Sequence, residues 1–173
     1  MSELEGNPIS PVETEEFPLP IPERGKLTEF RFDEPLSAPT GPPVGLLSTT
    51  LATAFILADD PGDRIWINAT LDWRATFTTV GIAYVTFQLL RNEEVIYSAV
   101  QSVFNPVAPT PPATAVVTNV LRMQYVDTPL AGAAKAEIVP VVYSLLATTT
   151  FPNISTVGPI TLSVAEIEPN TLP

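Results

Sequence analysis

The 173-residue chain contains no cysteine and no histidine. The first absence removes disulfide staples, thiolate metal sites and cysteine nucleophiles. The second removes every histidine-based triad and the commonest general base. Basic residues are scarce too, eight Lys and Arg against nineteen Asp and Glu, for a formal charge of −11. A field of that sign repels phosphate backbones and anionic lipid surfaces, so neither nucleic acid nor membrane insertion is expected; its blander meaning is solubility. No apolar run approaches the roughly 18 residues a spanning helix needs. The opening MSELEGNPISPVETEEFPLP has no basic n-region and no apolar h-region, so the expectation is a protein made without a secretory signal.

Proline, by contrast, is abundant at 20 residues, and nine of these fall within the first 43 positions. The same stretch holds nine acids and three bases, a net of −6, and so carries more than half of the charge. Proline removes backbone donors and helix options, which predicts an extended arm over residues 1–43. A stretch kept only for solvation has no need of apolar anchors, yet Phe17, Leu19 and Ile21 alternate with prolines in FPLPIP, and Phe30, Phe32 and Leu36 follow. Alternation on an extended chain presents one apolar face. These six residues are therefore the candidate docking side chains of a connector, seated on a neighbouring subunit or on the chain's own domain.

Residues 44–173 read as an all-β domain. In Arg64–Thr78, the residues Ile65, Ile67, Ala69, Leu71, Trp73, Ala75 and Phe77 share one face, and Trp66, Asn68, Thr70, Asp72 and Arg74 share the other. A period of two held that long, rich in β-branched and aromatic residues, is a strand. Further strands are expected at Gly45–Ala58, Ile82–Arg91, Val95–Phe104, Ala115–Tyr125, Ala136–Thr149 and Ile160–Glu168. DDPGD (59–63), RNEE (91–94), NPVAPTPP (105–112), VDTPLAG (126–132) and FPNISTVGP (151–159) are the turns between them. Pro140 inside its strand calls for an edge position or a bulge. The spacing predicts an antiparallel β-sandwich or jelly roll.

Sites of chemistry are few. Asp59, Asp60 and Asp63 could offer hard oxygens to calcium, but they lack EF-hand spacing, and Asp, Pro and Gly are what a β-turn needs for itself. The turn is the expectation and calcium the alternative. Asn68-Ala69-Thr70 and Asn153-Ile154-Ser155 match a glycosylation pattern that is read as chance. Asp72, Glu93, Glu94, Asp127 and Glu137 suit solvated positions better than a carboxylate pair, and Lys135 is the domain's only lysine, with no strained serine turn for it to serve. No enzyme activity, cofactor or metal is expected. Only fifteen of the 130 residues after the arm are charged. Trp66 also lies opposite Trp73 and needs cover, which makes it a candidate oligomer face.

The order GDRIWINATLDWRATF…VTFQLLRNEEVIYSA…IVPVVYSLLATT…LSVAEIE resembles the small jelly-roll proteins of Firmicute spore surfaces, exosporium and endospore appendages among them, whose fold is similar to the C1q and tumour-necrosis-factor heads. The resemblance covers roughly residues 44–168. It implies a homotrimer on a spore or cell surface, linked head to tail into a filament by N-terminal arms and anchored by a further spore-surface protein. No Gly-X-Y repeat precedes the domain, so no collagen stalk is implied. Two other readings stand beside this one. One is a coat-layer or virion decoration protein forming a closed lattice; the other is a jelly roll that binds carbohydrate or a receptor, which loops of proline, threonine and alanine support poorly.

Overall fold

The computed structural model describes residues 26–35, 41–129 and 138–168. Among them are nine strands and no helix: β1 (Lys26–Asp33), β2 (Pro43–Val44), β3 (Thr49–Ala58), β4 (Arg64–Phe77), β5 (Gly81–Arg91), β6 (Glu94–Asn105), β7 (Ala115–Asp127), β8 (Val139–Thr148) and β9 (Ile154–Glu168). They form two antiparallel sheets, one ordered β1-β9-β4-β7 with β2 also on β9, the other β3-β8-β5-β6. The chain is an all-β sandwich.

The predicted inward face of β4 is the one that is buried. Ile65, Ile67, Ala69, Leu71, Trp73, Ala75 and Phe77 all lie in the core, where they meet Ala83, Val85, Phe87 and Leu89 of β5 and Val141, Tyr143 and Leu145 of β8. Two apolar faces interdigitating between sheets supply the main favourable term of such a fold. The Trp73 indole also donates from Nε1 to Gln101 Oε1 at 2.7 Å, so its buried N–H is not left unpaired.

Turn chemistry follows the local sequence. Asn92 and Glu93 both have positive φ, 45° and 74°, between the paired ends Arg91 and Glu94. Two left-handed residues make the hairpin turn whose twist suits the strands it joins. In DDPGD the backbone N–H of Asp63 reaches the Asp60 carbonyl, while Asp60 Oδ1 accepts from the Gly62 amide at 2.7 Å. Pro140 lies past the last β5 partner on β8, which is Tyr143, so only β3 flanks it and its missing donor is not needed.

Two features differ from the expectation. FPNISTVGP is not one turn: β9 starts at Ile154 and runs through it, pairing with β4 on both sides of a bulge where Val157 and Ile160 face Asp72 and Leu71. Gly158, at φ +69°, supplies the left-handed residue that the bulge requires, which is why Gly-Pro there bends a strand without ending it. The second feature is β1. It lies inside the stretch read as an arm and pairs along its length with β9 of the same chain, from Lys26 opposite Glu168 to Asp33 opposite Leu162. Gly41 then brings the chain onto β9, donating to the Thr156 carbonyl at 3.0 Å, so close that a Cβ would strike the Thr156 hydroxyl.

The two seams of the sandwich are closed by side chains. On one, Tyr97 and Tyr125 meet with ring centroids 5.5 Å apart, and Gln101 donates to the Val120 carbonyl. On the other, β1 stands beside the edge of β3. Glu29 accepts from the Leu57 amide at 3.0 Å, Asp33 accepts from the Thr53 amide at 2.8 Å, and the Arg31 guanidinium sits 5.7 Å over the Phe55 ring. Two acids of the arm thus occupy free edge donors that would otherwise invite another strand.

Candidate assembly surface

Strand alternation that sends one set of residues into the core sends the other outward. On the sheet β3-β8-β5-β6, the register puts Thr53, Phe55 and Leu57 outward beside Pro140, Val142 and Ser144, with Ile82, Tyr84, Thr86 and Gln88 beside Ser98, Val100, Ser102 and Phe104. None of these residues is charged. The large ones remain open: Phe55 is 52% exposed, Tyr84 51%, Val100 65% and Phe104 55%. A depression of about 560 Å³ opens at one end of this face, lined by Thr50, Leu90, Asn92, Val142, Ser144 and Leu146 and by one charged residue, Glu93.

The other sheet has a mixed outer face. Arg74, Asp72, Thr70 and Asn68 of β4 run beside Thr118, Val120, Arg122 and Gln124 of β7. Its apolar part is one corner. Trp66 lies across from Val126 on one side and Ala165 on the other, and Phe30 of β1 lies across from Ala165. Ala165 is buried and Trp66 half-buried, while Phe30 and Phe32, with rings 6.1 Å apart, are exposed. The structure therefore brings Trp66, Phe30 and Phe32 to a single corner. Phe17, Leu19, Ile21 and Leu36 lie outside the described residues.

Among the described residues, buried ionisable groups occur in two places, each with a carboxylate at an inward position of the alternation. At the end of β7, Asp127 accepts from Tyr143 Oη at 2.9 Å, from Arg91 Nη1 at 3.1 and 3.3 Å, and from the Thr128 amide. Burial, reinforced by the neighbouring carboxylate, holds the Tyr143 phenol far above its usual range. At the β3–β4 turn, carboxylate oxygens of Asp59, Asp63 and Glu166 lie within 4.8 Å of one another. Asp60, grouped with the first two in the sequence reading, turns instead to the Gly62 amide. Burial raises the Glu166 carboxyl to about 7; the hydrogen bond from Thr28 opposes the rise and the charges of Asp63 and Asp59 add to it. Burial also raises Asp63, against the Asp60 backbone contact that favours its charged form.

Glu166 was absent from the sequence-level candidates, yet a signal existed. Ile160, Leu162, Val164 and Glu166 share one parity on β9, and a carboxylate ending an inward-facing apolar series is anomalous. No protein-family model matches the chain, and no curated protein matches it.

Proposed function

We propose that the protein is a self-assembling structural subunit of a surface fibre, a trimeric jelly roll of the C1q and tumour-necrosis-factor type joined to its neighbours by N-terminal arms. The observation that carries this reading is the outer face of β3-β8-β5-β6, whose paired outward positions are all uncharged, with Arg31 at the Phe55 edge and Glu93 at one end as the charges that border it. Four strands about 4.8 Å apart and about 30 Å long cover a projected area of roughly 600 Å², near the ~800 Å² that each partner buries in a stable interface. Isolated apolar residues on a surface mean little, but a sheet face with no charge among its paired outward positions is a surface awaiting cover. Trp66, Phe30 and Phe32 form a second apolar patch on the opposite sheet. Two unlike patches give the domain two separate contacts, one within a trimer and one that receives the arm of the next unit, and a heterologous contact of the second kind propagates.

The strand order supports the jelly-roll assignment. An eight-strand double Greek key pairs its first strand with its last, the last with the third and the third with the sixth; its other sheet runs second, seventh, fourth, fifth. Counting β1 and β2 together as the first strand reproduces both orders. Since Lys26–Asp33 is built into its own domain, the segment left to link trimers is residues 1–25, with Phe17, Leu19 and Ile21 as its apolar anchors.

The test is negative-stain microscopy with light scattering on three purified forms. The full chain is expected to form filaments of trimers, and the chain lacking residues 1–25 discrete trimers. The Tyr84→Glu/Phe104→Glu variant should be monomeric with an unchanged β spectrum. A full chain that stays monomeric when concentrated refutes the assembly reading. Filaments that survive the truncation remove the arm from the linkage, and closed particles in place of filaments replace the fibre with a lattice.

A further inference from the structure

Asp63 and Glu166 keep only 1% and 4% of their surface exposed. Each spends one carboxylate oxygen on a donor: Asp63 Oδ2 on the Asp60 amide at 3.0 Å, Glu166 Oε2 on the Thr28 hydroxyl at 2.8 Å. The other oxygens, Asp63 Oδ1 and Glu166 Oε1, are buried with no hydrogen-bond partner. Leaving a buried polar oxygen unpaired is unfavourable, and two such oxygens in one acidic cluster call for an occupant that accepts lone pairs from both. Among the described residues neither acid takes part in an ion pair. Glu29, opposite Glu166 in register, points its carboxylate elsewhere, to the Leu57 amide and Arg31.

We propose that Asp59, Asp63 and Glu166 bind a divalent cation of the hard, oxygen-seeking class, calcium being the best fit. Three carboxylates from a turn and a strand end supply part of a calcium shell, and the exposed Asp59 leaves one side open to the waters that complete it. The chain has no thiolate and no imidazole to favour zinc or copper. The bound ion joins the β3–β4 turn to β9 and, through the Thr28–Glu166 hydrogen bond, to β1. The competing occupant is a single proton shared between the two buried carboxyls, and the two make different predictions.

Isothermal titration of the full chain with calcium chloride at pH 7.5, with magnesium chloride in parallel, and thermal melts in calcium and in EDTA separate them. With a cation site, calcium titrates at one equivalent per chain and raises the melting temperature. Glu166→Gln and Asp63→Asn then each weaken binding roughly tenfold or more, as loss of a direct ligand should. In EDTA, Glu166→Gln melts no lower than the parent chain, which shows that lost binding is not lost folding. Asp60→Asn, outside the cluster, binds as the parent does. Absence of titration heat and of any calcium- or magnesium-dependent shift, or unweakened calcium binding by Glu166→Gln, overturns the site and leaves the shared proton.

Discussion

Asp127 offers the sharpest test of how the two sheets are locked together. It ends β7 in one sheet, while its partners Arg91 and Tyr143 belong to β5 and β8 of the other. Asp127→Ala leaves the buried Tyr143 hydroxyl without its acceptor and leaves Arg91 with only the exposed Glu94, at 3.3 Å. Removing one member of a buried ion pair costs about 3–5 kcal/mol. The Arg91 side chain keeps 26% exposure, and water can partly replace its partner, so the lower end, about 3 kcal/mol, applies. Tyr143→Phe removes one hydrogen bond but leaves Asp127 paired with Arg91 and Thr128, a loss of about 1–2 kcal/mol. Urea unfolding at fixed protein concentration measures both. For a domain of this size, about 3 kcal/mol corresponds to a melting temperature lower by roughly 6–12 °C. The double variant should be less destabilised than the sum of the singles by about 1 kcal/mol, because the second change removes a group the first has already orphaned. An Asp127→Ala protein within about 0.5 kcal/mol of the parent, the range of an ordinary surface change, would refute the reasoning.

Two further outcomes follow from β1 and the acidic seam. Glu166 has a folded-state pKa of about 7, raised from 4.5, so the folded chain holds a proton that the unfolded chain releases. Its contribution is fully present below about pH 4.5 and is lost as pH rises through 7, a fall of up to about 3 kcal/mol. Melts in EDTA between pH 5 and 8 should show this decline; Glu166→Gln should flatten it, and equal slopes would discount the group. Glu29→Ala/Asp33→Ala frees the Leu57 and Thr53 amides on an exposed edge and should cost about 1–2 kcal/mol. Hydrogen exchange at those two amides should speed up while core amides of β4 stay protected, and unchanged exchange at both would remove the two acids from the seam.

How much of this was readable depended on whether the deciding interaction is local. The inward face of β4 was legible because alternation alone specifies it, and a slip of one residue would bury Arg64, Asp72 and Arg74. The Asn92-Glu93 turn and the Asp60–Gly62 contact were legible for the same reason, being settled within four residues. The bulge at Gly158 was misread as a strand end, since Gly-Pro signals interruption without saying whether pairing resumes beyond it. Glu29 and Asp33, two of the acids in the first 43 residues, read in sequence only as solubilising charge, because their partners, the Leu57 and Thr53 amides, lie 28 and 20 positions away and become neighbours only after folding. The buried acids stood between these cases. Asp63, Asp127 and Glu166 each continue an inward parity, Asp63 with Ile65 and Ile67, Asp127 with Met123 and Tyr125, Glu166 with Leu162 and Val164. Alternation marks them as anomalous; only the fold shows that Asp127 has partners and that the other two each keep an oxygen without one.

The same corner of the sandwich gathers features that the sequence scatters. Thr28, Glu29, Asp33 and the two phenylalanines of β1 all act there, on Glu166, on the β3 edge and beside Trp66. Strand β1 is therefore an integral edge of the domain, and its alternation divides two tasks: Glu29 and Arg31 face the seam, while Phe30 and Phe32 face outward. On the proposed fibre reading this moves Phe30 and Phe32 from the inserting peptide to the surface that receives it. The inserting role is left to the segment before Lys26. The proposed cation then has a structural consequence for assembly. By fixing Glu166, it would hold the hydrogen bond that seats Thr28, and so the strand carrying the two phenylalanines. A pre-ordered receiving surface binds an extended peptide with less entropy lost than one that must first settle. If both proposals hold, calcium strengthens the contact between trimers without touching it, and the contact within a trimer, built on the uncharged face of the opposite sheet, is indifferent to calcium.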